Sequence, residues 1–394
     1  MSTPDTPIHG DCDPAFQAVA DAFAANFAAG GETGASVCVT VEGRTVVDLW
    51  GGWADEARTR PWERDTLVNV WSSTKGVAAT AGHVLASRGL IDFEAPVARY
   101  WPEFAQAGKD AMPVKYLFSH QAGLVDIEGE KTPGIARDWA AICAALAASH
   151  PLWEPGTANG YHAVTYGWLV GEVIRRAAGA PSFSAVLRET VTGPLGADFW
   201  VGLPASEHHR VAEIHREPPP PASPGAPPAT PPAPDSPRAR AMLLAGPAYA
   251  GAPNSPEWRE AEMPGMNGHG NARSLARVYT PLANGGEVDG IRLMSPADIE
   301  RAAALQVASQ DLVIAGLTRR TLGFMLPFEE LGDVRPPSAF GHGGAGGSQG
   351  FADPVHRVAF GYAMNRMSTA GGVSGAMDPR GQRLAKAVYD ALAR

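Results

Sequence analysis

The segments that read as β-strands lie near the two ends of this 394-residue chain, and helical periodicity fills most of what lies between. Val37-Cys38-Val39-Thr40-Val41 and Thr45-Val46-Val47-Asp48-Leu49-Trp50 are β-branched runs flanking Glu42-Gly43, the pattern of two strands joined by a tight turn. Val358 to Met364 is an unbroken apolar run of strand length. From Ser72 to about Gly179 the apolar spacing is helical, broken at Pro96, Pro102, Pro113, Pro151 and Pro155-Gly156. Its clearest member carries Tyr166, Leu169, Val170, Val173, Ile174 and Ala177 on one face and is closed by Gly179. Leu384, Val388, Tyr389 and Leu392 give a last amphipathic helix. Strands at both ends imply an α/β (α+β) fold whose sheet is built from both termini, with a helical domain inserted into it. The expected boundaries are 1–79 and 173–394 for the α/β domain and 80–172 for the helical one. No internal repeat is present.

Chemistry enters at Ser72-Ser73-Thr74-Lys75, which follows the strand-like run Leu67 to Trp71 and opens a helical stretch with Val77, Ala81, Val84 and Leu85 on one face. Residues i and i+3 share a helix face, so the Lys75 amine can reach the Ser72 hydroxyl. Serine is a poor nucleophile until a neighbour takes its proton, and a partly desolvated lysine can do so. The helix N-terminus adds free N–H groups beside the developing oxyanion. Alone, S-x-x-K is a weak signal.

Two further motifs strengthen it. Pro155-Gly156-Thr157-Ala158-Asn159-Gly160-Tyr161 places a tyrosine in a glycine-flanked loop, where it can act as general base and as proton donor to a leaving group. Gly341-His342-Gly343-Gly344-Ala345-Gly346-Gly347 allows close backbone approach to a ligand, as an oxyanion N–H requires. In this order the motifs resemble the serine β-lactamase and penicillin-binding-protein superfamily, and in particular the family VIII carboxylesterases. Tyr116 to Leu124, Asn267 to Asn284 and Gly350 to Pro354 extend the likeness, which runs from about Thr33 to Tyr389.

The resemblance implies a serine β-lactamase-like fold with an antiparallel sheet flanked by helices. It implies Ser72 as nucleophile, Lys75 as its activating partner and Tyr161 as general base and acid. The backbone N–H groups of Ser72 and Ala345 would form the oxyanion hole. His342 reads either as a donor of a hydrogen bond near the Tyr161 oxygen or as a structural residue behind the site, with Gly343 and Gly344 supporting it. Trp153 and Tyr249 are candidate walls of an acyl pocket, or core residues.

Two departures bear on substrate. β-Lactam hydrolases of the superfamily usually place asparagine two residues after the tyrosine and Lys-Thr-Gly at the third motif. This chain has Ala163 and His342-Gly343-Gly344 there. Ala163 cannot bond a substrate amide through its side chain, and a largely neutral imidazole replaces a fixed cation. Both changes favour a neutral ester. Gly346-Gly347-Ser348-Gln349-Gly350 spells the G-x-S-x-G of α/β-hydrolases, but a strand rather than a helix is expected after it, so Ser348 reads as a decoy. His120 and His162 read as packing residues, with solvent exposure the other reading for His162. His208-His209 and His215 lack partners at metal spacing.

The net charge of -9 argues against nucleic acid or an anionic membrane as partner. Cys12, Cys38 and Cys143 are odd in number and widely spaced, and residues 1–13 carry no apolar h-region. These point to a reduced, cytoplasmic setting without an export signal. Eleven prolines between Pro218 and Pro237 read as a solvated extended loop or a flap beside the substrate entrance. The expected activity is cofactor-free hydrolysis of short-chain carboxylic esters through an acyl-Ser72 intermediate. The alternatives are an acyltransferase, a D-amino-acid peptidase or β-lactamase, and a non-catalytic protein of the same fold.

Overall fold

The computed structural model describes residues 6–132, 134–216, 231–249, 253–314, 316–368 and 377–394, and of 245–249 and 331 the backbone alone. A six-stranded antiparallel sheet joins the two ends of the chain. Its N-terminal strands are β1 (Ile8–Cys12), β2 (Gly34–Val41) and β3 (Arg44–Gly52). Between β1 and β2 runs helix α1 (Gln17–Ala28). The β2–β3 turn is made by Glu42 and Gly43, both at positive φ (53° and 81°), as a two-residue hairpin requires.

The central helices are α2 (Ser73–Ser87), α3 (Trp139–Ala148) and α4 (Tyr166–Ala177). Helix α5 (Pro237–Tyr249) and helix α6 (Ala272–Ala283) follow, and then the two-stranded hairpin of β4 (Val307–Gln310) and β5 (Leu317–Arg320). The sheet is completed by β6 (Phe340–Gly343), β7 (Gln349–Asp353) and β8 (Val358–Met364), and helix α7 (Pro379–Leu392) ends the chain. Strand order across the main sheet is β1-β3-β2-β8-β7-β6. β8 therefore pairs with β2, Val358 opposite Val41 and Met364 opposite Ala35, and this register locks the two ends of the chain together.

Packing follows from residue size. Cys38 on β2 meets Ala272 and Ala276 of α6, small residues that let helix and sheet approach closely. Gly361 of β8 is part of the same contact: a Cβ there would sit 2.1 Å from the Ala272 carbonyl oxygen. Helix α7 packs on α1, and its Arg380 pairs with Asp378 and Glu32 while donating to the Gly346 carbonyl at 2.5 Å. That bond ties the C-terminal helix to the glycine-rich turn between β6 and β7.

Three features were not expected from sequence. Ile8–Cys12 is an edge strand held by β3; IHGDC has no apolar alternation, so its pairing partner and not its composition makes it a strand. The apolar run before Ser72 is strand only at Val68–Asn69, because the chain must turn sharply into α2. The proline-rich stretch lies largely outside the described residues, as does the side chain of Tyr249, while the residues after it form α5. Among the described residues no helix is long and apolar enough to cross a membrane.

Candidate active site

Helix α2 begins with Ser73, leaving Ser72 as its N-cap, and Trp71 before it has φ of 48°. A bulky residue held in the left-handed region marks local strain, and it forms the turn that brings Ser72 out of the short strand. An N-cap serine ordinarily accepts from the N–H of the next turn. Here it makes no such bond. Its oxygen instead lies 3.2 Å from Lys75 Nζ and shares a hydrogen bond with the Tyr161 hydroxyl.

Ser72 is half-buried, whereas Ser73, Thr74 and Lys75 are fully buried. The two neighbouring hydroxyls are committed elsewhere, Ser73 to the Ser348 hydroxyl at 3.0 Å and Thr74 to the Trp71 carbonyl and the Gly268 N–H.

Lys75 Nζ has two further contacts, the carbonyls of Ala163 at 2.9 Å and Gly265 at 2.7 Å. Burial, and after it the positive charge of Arg320, push its pKa well below the ordinary lysine value. A neutral amine has two N–H groups and a lone pair. With the N–H groups spent on the two carbonyls, the lone pair faces the Ser72 hydroxyl. Tyr161 is pushed up to about 12, burial outweighing its hydrogen bond with Ser72 and the nearby Arg320. It is therefore a phenol at neutral pH. The arrangement can take a proton at Lys75 and give one from Tyr161.

The glycine-rich turn comes up against Ser72 from the sheet. A Cβ on Gly344 would lie 2.2 Å from Ser348 Oγ, 2.3 Å from the Val70 carbonyl and 3.3 Å from Ser72 N, so only glycine lets the turn sit this close. Gly344 N–H donates to Ser348 O at 2.8 Å, and Gly346 and Gly347 follow at φ of 82° and 128°. Ala345, at the tip, is partly buried against the core.

His342 does not take the donor's part. Burial first, then the charge of Lys75, lower its pKa to about 3, so the ring is neutral. Its Nδ1 lies 2.7 Å from the Gly343 carbonyl, which can only accept, so Nδ1 carries the proton and Nε2 is bare. A bare nitrogen cannot donate toward the Tyr161 oxygen. The ring instead stacks on Tyr161 at 6.1 Å between centroids. His162 does not face solvent: it is buried, donating to Gly160 O at 2.7 Å and accepting from Leu124 N–H at 3.1 Å. His120 is also buried, accepts from the His162 N–H, stacks on Tyr166 and meets the Tyr161 ring at a tilt.

Tyr161, Val125, Val313 and Ala241 form a small apolar cluster, with Trp153, Leu152, Ala163 and Ile314 packed against it. Trp153 thus borders the tyrosine, its indole N–H fixed to the Ala158 carbonyl at 3.1 Å. A separate cavity of about 470 Å³, lined by residues including Leu187, Thr192, Phe199 and Trp200, contains none of Ser72, Lys75 and Tyr161.

Sequence reading missed the Gly265 and Ala163 carbonyls, because any residue type supplies a carbonyl. It also missed Arg320 and Asp311, which no motif marks. Ser348, in the turn between β6 and β7, is buried and donates to the Val70 carbonyl at 2.7 Å. Ser348→Ala is expected to cost about 1–3 kcal/mol of stability by leaving the buried Ser73 hydroxyl without its partner, yet to leave ester turnover within a few-fold of wild type. Thermal melts beside kcat measurements check both halves.

A family model described as Beta-lactamase matches residues 19–381. The chain is 37% identical over 371 residues to the Esterase/beta-lactamase LipL of Mycobacterium tuberculosis, covering 91% of this chain and 83% of that protein. A crystal structure of a family VIII carboxylesterase superposes with a TM-score of 0.88 at 46% identity, over 98% of this chain and all of the other. A penicillin-binding-protein homologue from Caulobacter crescentus gives a TM-score of 0.88 at 42% identity, with the same coverage.

Proposed function

The chain belongs to the Beta-lactamase family, and from that premise we propose that it is a serine carboxylesterase acting on short-chain esters through an acyl-enzyme. One observation carries the reading: an uncapped Ser72 hydroxyl 3.2 Å from a buried lysine amine that has two carbonyls for its own N–H groups. Ser72 Oγ attacks the ester carbonyl as its proton passes to Lys75 Nζ. The tetrahedral oxyanion sits against the N–H groups of Ser72 and Ala345, and Tyr161 protonates the departing alcohol. As the alcohol leaves, the proton on Lys75 returns to Tyr161; water then gives a proton to the same pair, attacks the acyl carbon, and that proton passes back to Ser72 Oγ as its bond to the acyl carbon breaks and the acid departs. His342, Gly343 and Gly344 bring the glycine-rich turn against Ser72, and Trp153 borders the acyl pocket. A test is intact-mass analysis after a fluorophosphonate probe with peptide mapping; an adduct on Ser72 is expected, and an adduct elsewhere sinks the reading.

Ester preference rests on what surrounds the site. A β-lactam brings a carboxylate and an amide, each needing a matched partner. Ala163 offers the amide no side-chain group, and its carbonyl is already taken by Lys75. His342 is neutral. Arg320 is 1% exposed and paired with Asp311, so it does not present a cation to solvent. Two unpaired polar groups weaken transition-state binding by about 10²-fold or more. kcat/KM for a butyrate ester is therefore expected to exceed that for penicillin- and cephalosporin-type substrates by at least about this factor. The Mycobacterium relative is described as both esterase and β-lactamase, which makes the comparison a sharp one. A β-lactam preference would overturn the reading of Ala163 and His342. We place the enzyme in the cytoplasm on its composition and its cysteines; Cys38 and Cys143 are buried free thiols.

A further inference from the structure

The loop that carries Tyr161 rests on a buried ion pair. Arg320, the last residue of β5, is 1% exposed, and its Nη2 lies 2.7 Å from the fully buried Asp311 carboxylate. Arg320 Nε and Nη1 have no hydrogen-bond partner among the described residues. Burying a guanidinium with two donor nitrogens unsatisfied is unfavourable, and an apolar side chain of similar size would fill the space at less cost. Its position gives it a use. Arg320 Cζ lies 5.0 Å from the centroid of the Tyr161 ring, and Lys75 Nζ lies 4.9 Å from the same centroid.

Asp311 supplies the other half of the arrangement. Its Oδ1 accepts from the N–H groups of Tyr161 (3.1 Å), Val313 (2.8 Å) and Ile314 (2.9 Å), so one carboxylate fixes the tyrosine and the apolar wall beside it. Asn159 fastens the same loop to the hairpin, donating to Ser309 Oγ at 2.7 Å and accepting from Thr318 Oγ at 3.1 Å.

We propose that Arg320 is a positioning residue for acyl transfer: held by Asp311, it clamps Tyr161 beside Ser72 and opposes a second positive charge on Lys75. This rests on the roles given above to Ser72, Lys75 and Tyr161. Around Lys75 stand Tyr161 and Tyr166, His120 and His162, His342 on β6, and Arg320 with Asp311. Arg335, paired with Asp333, bears on His342 from behind. Burial holds His162 at about 4, His342 at about 3 and His120 well below the ordinary imidazole value, so the three stay neutral above about pH 5. Tyr161 lies at about 12 and burial raises Tyr166 as well. Lys75, held well below the ordinary lysine value by burial and then by the Arg320 charge, is the group of this cluster whose protonation decides attack. Attack needs its amine form, so kcat/KM rises with pH through the Lys75 pKa. Removing the Arg320 charge raises that pKa, and the acidic limb moves to higher pH.

The experiment measures kcat/KM for 4-nitrophenyl butyrate against pH for the wild-type chain, Arg320→Lys, Arg320→Gln and the double variant Asp311→Asn with Arg320→Gln. Thermal midpoints and Ser72 adduct mapping accompany each profile. The double variant keeps an oxygen for the three backbone N–H groups and buries no charge, so it serves even if Arg320→Gln, which strands Asp311, fails to fold. The limb is expected to rise by about half a pH unit or more when the charge is lost and to stay near the wild-type position in Arg320→Lys. An unmoved limb in the double variant overturns the proposal, as does an Arg320→Lys limb displaced as far as the double variant's. A wild-type chain that takes no adduct at Ser72 sinks the reading of the site itself, whereas a Ser72 adduct with an unmoved limb sinks this inference alone.

Discussion

Ser72→Ala is expected to lower kcat for a short-chain ester by at least about 10⁴-fold and to abolish fluorophosphonate labelling, while the thermal midpoint stays close to wild type. The asymmetry follows from where the hydroxyl sits. Ser72 is half-buried at the start of α2, caps none of its N–H groups, and among the described residues its hydroxyl bonds only toward Lys75 and Tyr161. Removing it takes little from the core. No neighbour can stand in for it. Ser73 is buried against Ser348, and Thr74 is held by Trp71 O and Gly268 N–H. A Ser72→Ala variant that keeps more than about a hundredth of the wild-type rate would mean that another group attacks the ester. Intact mass and single-turnover kinetics on the purified variant decide it.

What the sequence disclosed, and what it hid, divides along a physical line. The hairpin at Glu42-Gly43, the buried strand Val358–Met364 and the helix Tyr166–Ala177 were legible because burial writes a period of 2 or 3.6 into side-chain polarity. Ser72 and Lys75 were legible as candidates from their i, i+3 spacing and Tyr161 from its motif, and the fold sets the three side chains beside one another. Ile8–Cys12 was not, since an edge strand takes its identity from the partner it pairs with. The carbonyls of Ala163 and Gly265 were not, since every residue has one. Of the two readings of His342, sequence could not choose for a related reason: it names an imidazole but not its tautomer, which the Gly343 carbonyl sets through Nδ1. Ser348 shows the converse. A literal G-x-S-x-G match arose where the geometry of a β-turn demanded glycines, and the serine within it braces the turn.

Lys75 and Tyr161 should separate when the leaving group is varied. Lys75→Met keeps the stem in its buried slot but leaves no group to accept the Ser72 proton, so kcat is expected to fall by about 10²-fold or more for every ester. Tyr161 stands differently. At about 12 it holds its proton through neutral pH, so its hydroxyl supplies a proton to the departing alcohol. An aryl ester with a nitrophenol leaving group departs as an anion and needs that proton little; an ethyl or butyl ester must have it. Tyr161→Phe, whose ring still stacks on His342 and packs against His120, is therefore expected to lose about 10²-fold on alkyl esters and distinctly less on nitrophenyl esters. Because the two groups serve one proton path, the double variant should lose little more than the worse single one on alkyl esters. Rate constants for one acyl group across a series of alcohols, in all four chains, check this. Equal losses for Tyr161→Phe on alkyl and nitrophenyl esters would instead place the tyrosine in the step that activates Ser72 and overturn its assignment as the acid of alcohol departure.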